Sequence, residues 1–155
     1  MAHRTTRPSV KNTTFPTAQD AEAAFYEALE ASDLEAMMEV WADDEEIVCI
    51  HPGGSRLAGF ADVRASWAEI FSGGRRLDVQ VSHQVVLGGM MLAVHSVRES
   101  IAVKGEKRAA VPVSATNAYM RTGNGWRMIL HHASPAPQGA TQQRPAEPET
   151  PRVLH

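Results

Sequence analysis

From residue 75 to residue 134 the chain alternates apolar and polar side chains in four long runs, 75–87, 91–103, 107–121 and 126–134, parted by glycine-bearing turns. Alternation at period two marks a strand with one buried face, and short glycine turns join such strands antiparallel. A meander of this length is a sheet, and its apolar face needs a cover. The preceding sequence supplies one. Thr17 and Asp20 make a capping-box pattern ahead of Ala21, Ala24, Phe25, Ala28 and Leu29 at helical spacing. Ser32 and Glu35 repeat it ahead of Leu34, Met37, Met38 and Trp41. A short apolar run, 47–50, closes at His51-Pro52-Gly53-Gly54. A third helix then carries Val63, Trp67, Ile70 and Phe71 on one face until Ser72-Gly73-Gly74 stops it. The expected architecture is α+β: three N-terminal helices packed on a strongly curved antiparallel sheet, a cone-shaped roll.

A chain of 155 residues, 43% hydrophobic, fits one domain around one core. Its last stretch is Pro, Gln, Glu, Thr and Ala, which cannot bury enough apolar surface to offset its ordering entropy. The expected division is a flexible arm over 1–15, the domain over 16–137 and a disordered Pro-rich tail over 138–155. A net charge of -3 argues against a general nucleic-acid surface, which needs clustered Lys and Arg. No apolar run is long enough to span a bilayer, and residues 1–16 lack the apolar middle of a signal peptide. The single cysteine, Cys49, cannot close an internal disulfide and reads as a buried, inert thiol. The expected location is cytoplasmic.

A slip of one residue moves every side chain of a strand to the other face, so amphipathicity sets the expected registers. Leu77, Val79, Val81, His83, Val85 and Leu87 share a face. A three-residue loop over 88–90 pairs that face with Met91, Ala93, His95, Val97 and Ile101. The same reasoning adds Ala109, Val111, Val113, Ala115, Asn117 and Tyr119. Trp126, Met128, Leu130 and His132 follow across a loop over 122–125. His83, His95, Ala115 and His132 form one expected row; Val85, Ala93, Asn117 and Leu130 form the next. His83, His95, Glu99, Asn117 and His132 are then the polar groups of an otherwise apolar face. The opposite face of the later strands, with Ser114, Thr116, Ala118, Met120 and Ile129, is small and partly apolar. Such a face is expected to be covered, which points to a homodimer through the outer side of the sheet.

The candidate chemistry sits on the inner side. His51 ends a buried strand at a rigid turn and titrates near neutrality, which suits a proton acceptor; it equally suits a ring that only bonds turn backbone. Asn117 on an apolar face must be hydrogen-bonded, to a ligand oxygen or to a helix end. His132 or His95 could carry a second proton. Phe25, Trp41, Trp67, His95 and Tyr119 are the expected pocket walls, and the tryptophans are equally plain core. No metal is expected. His131 and His132 point to opposite faces, and His95 and His132 have a strand between them, too wide a gap for one zinc.

The order of parts resembles the nuclear-transport-factor-2-like superfamily, especially its SnoaL-like branch. The residues that carry the resemblance are 25–34 (FYEALEASDL), Trp41-Ala42-Asp43-Asp44, His51-Pro52-Gly53-Gly54, Gly125-Trp126 and Leu130-His131-His132-Ala133-Ser134-Pro135. The ending is similar to that of the kinase association domains of the same superfamily. The resemblance implies a cystatin-like roll over about residues 17–136 and a pocket in its hollow, worked without a cofactor. The superfamily includes ketosteroid isomerases, which use an aspartate base before a proline, an oxyanion aspartate and an oxyanion tyrosine. On this chain the resemblance places His51 at the base and Asn117 at the oxyanion aspartate. The tyrosine position falls on Phe25, which has no hydroxyl, and Tyr26 is one residue off that face. Two functions follow. One is a cofactor-independent isomerase, dehydratase or cyclase acting on a small apolar or carbonyl compound by histidine-mediated proton transfer. The other is a non-catalytic ligand-binding or dimerisation scaffold.

Overall fold

The computed structural model describes residues 11–138. The elements run α1 (Ala18–Ala31), α2 (Leu34–Val40), β1 (Val48–Ile50), β2 (Arg56–Ala58), α3 (Phe60–Ser72), β3 (Leu77–Gly88), β4 (Leu92–Val103), β5 (Val111–Thr122) and β6 (Gly125–Pro135). The expected α+β architecture is present, with three helices against one open sheet. Thr17 and Asp20 close the capping box: Asp20 N–H donates to Thr17 Oγ1 at 3.0 Å, and Thr17 N–H donates to Asp20 Oδ2 at 3.1 Å. The second helix starts one residue later than its sequence signal. Ser32 instead ends α1 in the left-handed region at φ 51°, and Asp33 caps α2 through Ala36 N–H at 3.0 Å.

The sheet order is β2-β1-β6-β5-β4-β3. Four strands follow one another antiparallel, as the alternation requires, but β1 lies parallel to β6. The sheet is therefore mixed, with the short hairpin β1–β2 added beside β6. The core lies between α1, α3 and the inner face, where Phe25, Trp41, Trp67, Val63, Met37 and Met128 are buried. Each such apolar side chain contributes roughly 1.5–3 kcal/mol of burial.

Two bulges alter the expected registers. On β3 the pairing changes from Ser82↔Arg98 to Val85↔Ser96, so His83 and Gln84 together face Val97, with His83 at φ 50°. The hairpin then closes at Gly88↔Ala93, one residue beyond the expected loop. Val85 and Leu87 consequently lie out of phase with Leu77, Val79 and Val81. On β6 the pairing passes from Tyr119↔Met128 to Ala118↔Leu130, leaving Ile129 as the extra residue. Beyond it the phase is reversed: His131 and Ala133 are buried while His132 is exposed. The expected row His83, His95, Ala115, His132 does not form; on β4 and β5, where no bulge intervenes, His95 pairs with Asn117 rather than Ala115, because the connection from Val103 to Val111 is longer than the three-residue turn expected. The row that forms across β4, β5 and β6 is His95, Asn117, His131.

Residues 1–10 and 139–155, with most of the expected arm and tail, lie outside the described residues. The final part of the expected arm is packed rather than loose. Phe15 is buried, its carbonyl accepts from Trp126 N–H at 2.9 Å, and Arg127 binds the carbonyl of Thr13 and lies over the Phe15 ring. Among the described residues, no helix is long and apolar enough to cross a membrane.

Candidate functional site

Two places bring chemistry-bearing side chains together. The first is at the end of β1, where the chain turns sharply: Gly54 N–H donates to His51 C=O at 2.8 Å, and Gly53 adopts φ 73°, a left-handed geometry suited to glycine. The turn holds His51 against α3. Its ring meets Trp67 edge-on, 4.6 Å between centroids, and its Nε2 lies 3.0 Å from Ser66 Oγ. Ser66 Oγ is in turn 2.7 Å from Val63 C=O, to which it donates its only proton. Nε2 of His51 must therefore be the donor, and Nδ1 keeps the lone pair. Burial pulls the His51 pKa below its ordinary value, which favours the neutral ring. Beside it runs an open groove of about 610 Å³ that includes Leu57, Ser66 and Ile70, with Asp62 and Glu69 on α3. Cys49 Sγ is 3.7 Å from the same Nε2. Burial pushes that thiol up to about 12, so it stays protonated and is no nucleophile.

The second place is the row His95, Asn117, His131, covered by α1. Asn117 is fully buried. Its Nδ2 donates to Tyr26 Oη at 3.0 Å and to Glu22 Oε2 at 3.4 Å, and its Oδ1 accepts from His131 Nδ1 at 2.6 Å. Glu22 Oε2 also accepts from His95 Nδ1 at 2.8 Å and from Tyr119 Oη at 3.0 Å, while Gln84 Nε2 donates to Glu22 Oε1. Tyr26 Oη donates to Glu99 Oε2 at 2.6 Å. Burial raises the Glu99 carboxyl, against the opposing effect of the Tyr26 bond. It also raises both tyrosines, so they remain hydroxyl donors. His131 is pulled down to about 3, chiefly by burial and then by the nearby His51 and His132. It is neutral, with its proton on Nδ1.

The sequence placed Asn117 and His95 on the inner side, where they are. It placed His132 there too, and the bulge at Ile129 gives that position to His131. Asn117 does not present a free donor, because both amide protons already bind protein. Phe25, Trp41 and Tyr119 are fully buried, Trp67 nearly so, and Phe25 packs against His131 at 4.9 Å between centroids. His83, in the β3 bulge, is exposed, and its Nδ1 lies 3.0 Å from Ser82 Oγ. Sequence reasoning missed Glu22 and the part played by Tyr26. The signal for Glu22 was present: a carboxylate three residues before Phe25 and seven before Leu29 falls inside the apolar stripe of α1. Among the described residues, no group of three His, Cys, Asp or Glu could hold a metal ion.

The model of the SnoaL-like domain matches residues 19–138. The chain belongs to the SnoaL-like domain family. A candidate calcium/calmodulin-dependent protein kinase type II association domain from Thiobacillus denitrificans is 40% identical, covers 81% of this chain and 100% of its own, and superposes with a TM-score of 0.72. A candidate dehydratase of the NTF2-like family from Streptomyces avermitilis is 32% identical, covering 75% and 91%, with a TM-score of 0.69. The F-box protein SKIP8 of Arabidopsis thaliana is 28% identical over 113 residues, 71% of this chain. The match takes in 46% of that protein, so this SnoaL-like chain spans about half the length of its curated relative.

Proposed function

We propose that this SnoaL-like chain is a cofactor-independent enzyme that moves a proton on a small carbonyl compound, in an isomerisation, dehydration or cyclisation. The observation that carries the proposal is the fixed tautomer of His51. Ser66 Oγ accepts a hydrogen bond from Nε2 and donates its own to Val63 C=O, so the basic Nδ1 stays unprotonated on a residue that lines the groove. A general base needs a neutral ring within reach of substrate, and burial favours that form at neutral pH. In the forward step Nδ1 takes a proton from carbon next to the carbonyl, the electron pair moves onto the carbonyl oxygen as an enolate, and the imidazolium returns the proton to a different atom. Asn117 and His131 position the wall against which His51 and Trp67 pack, through the contacts of His131 with Phe25 and Trp67. The resemblance to the candidate dehydratase supports the same reaction class. A panel of small enones and hydroxy ketones tests the proposal. Turnover that falls in His51→Ala is the expected result; no turnover of any compound, or turnover that survives His51→Ala, overturns it.

A second function is favoured by the outer half of the β3–β4 hairpin. Val85, Leu87, Met90, Met91 and Leu92 are all more than 45% exposed, an apolar surface continuous with the outer sheet face. We read this as the contact of a homodimer, and the 40% identical relative is described as an association domain. Light scattering after size exclusion is expected to give twice the chain mass; a monomer at micromolar concentration removes the dimer.

A further inference from the structure

We propose that the cleft between the α3–β3 and β4–β5 connections is a binding site for a small phosphate monoester that carries a hydroxyl group. The cleft measures about 440 Å³ and is lined by Arg75 from the first connection and by Glu106, Lys107 and Arg108 from the second. Small-molecule pockets run from about 300 to 1,000 Å³, so there is room for more than a bare ion. All four side chains are exposed, and none has a hydrogen-bond or ion-pair partner among the described residues. Three cations against one carboxylate leave two positive charges in excess, on a chain whose net charge is -3. Arginine presents two parallel N–H groups that match two phosphate oxygens, and lysine adds a compact point charge. The carboxylate of Glu106 repels a phosphate and accepts from a hydroxyl, so the group beside the phosphate is an alcohol. No apolar side chain lines the cleft, which leaves nothing to hold an acyl chain.

The two connections are held together by the backbone, before any ligand arrives. Leu77 pairs with Val103 at the end of the β3–β4 ladder, and Lys104 N–H extends it by donating to Arg76 C=O at 2.8 Å. The chain then reverses. Glu106 N–H donates to Val103 C=O at 3.2 Å, with Gly105 at φ 84° in the third place of the turn, where a left-handed residue is needed. This turn sets Glu106, Lys107 and Arg108 beside Arg75. Arg76 is spent on Ala31 C=O at the end of α1, at 3.0 Å, and Arg75 is the cation left for the cleft. The cleft and the His51 groove share one end of the sheet, where β1, β6 and β4 finish and β5 starts. Two to three strand steps part them, about 10 to 14 Å at roughly 4.8 Å per step. A molecule of a few heavy atoms seated in one does not reach the other.

The test is isothermal titration calorimetry on the intact chain with glycerol 3-phosphate, inorganic phosphate and glycerol. Glycerol 3-phosphate has no carbonyl, so turnover at His51 does not enter the reading. It is expected to bind saturably and about two- to tenfold more tightly than inorganic phosphate, while glycerol gives no heat of binding. Arg75→Gln and Arg108→Gln should each weaken it about tenfold or more; Arg121→Gln, at an exposed arginine near the other end of β5, should not. Glu106→Ala should bind inorganic phosphate more tightly and lose the preference for the ester. His51→Ala should bind as the parent does. No saturable binding, or a loss in Arg121→Gln equal to that in Arg75→Gln, overturns the site. An ester bound no more tightly than phosphate, or a preference that survives Glu106→Ala, overturns the ligand class. Sedimentation of the protein with vesicles containing phosphatidic acid overturns the small molecule in favour of a lipid surface, and weakened binding in His51→Ala overturns the site's independence.

Discussion

His51 and His131 are held against the same tryptophan and differ in what their bonds leave over. His131 lies on β6 opposite Cys49, two residues before His51 on β1, and Trp67 touches both rings. Burial keeps both imidazoles neutral. His131 spends its proton on Asn117, inside a network that runs on to Tyr26, Glu22, His95, Tyr119 and Glu99. His51 spends its proton on one hydroxyl and stands at a groove. A lowered pKa alone thus does not mark a reactive histidine; spare bonding capacity beside open space does.

The comparison can be broken in several ways. The largest effect expected is on turnover in His51→Ala, a loss of roughly 10²- to 10⁴-fold with the melting temperature nearly unchanged. Equal losses of activity and stability would make His51 a packing residue like its neighbour. The next is Asn117→Leu, which strands the His131 N–H and takes a donor from Tyr26 and Glu22. It should lower stability by about 3 kcal/mol in urea unfolding, and a change below about 1 kcal/mol would mean that the network is not held together at Asn117. A smaller effect is the response to acid. His131 binds a proton near 6.5 when unfolded but only near 3 when folded. Stability therefore falls as pH drops through that window, by up to about 1.4 kcal/mol per pH unit. Glu99, raised in the folded state, acts the other way just above the ordinary carboxylate range, since the unfolded chain ionises first there. His131→Phe should flatten the acid limb; an unchanged slope assigns the acid sensitivity elsewhere. The smallest effect is His132→Ala, expected within about 0.5 kcal/mol of the parent and without influence on turnover, because the side chain is exposed. A large effect there would restore the unbulged register.

Much of the fold could be read from residues, and the reasons are local. Thr17 and Asp20 announced the first helix because a capping box is built from neighbours in sequence. The four strands announced themselves by alternation, and β2 did not, since Arg56–Ala58 is three residues with one half-buried side chain. Asn117 and His95 were legible as polar residues on an inner face. His131 was not, and the failure has one cause. Period-two reasoning assumes that each strand keeps its phase, and the extra residues at His83–Gln84 and at Ile129 shift it. Glu22 was missed for a different reason: a carboxylate inside an apolar helix stripe is explained only by partners 62 to 97 residues away in the chain.

Ile129 has one more consequence. Its strand pairs regularly with β5 on either side of it, at Tyr119↔Met128 and then, one residue out of the earlier register, at Ala118↔Leu130. A gene that lost this codon would encode a plain ladder in which the ring facing Asn117 is the same one. The position is therefore a place where related chains can differ in length by one without disturbing the machinery, and an alignment that forces equal spacing from Gly125 onward would confuse the twin histidines.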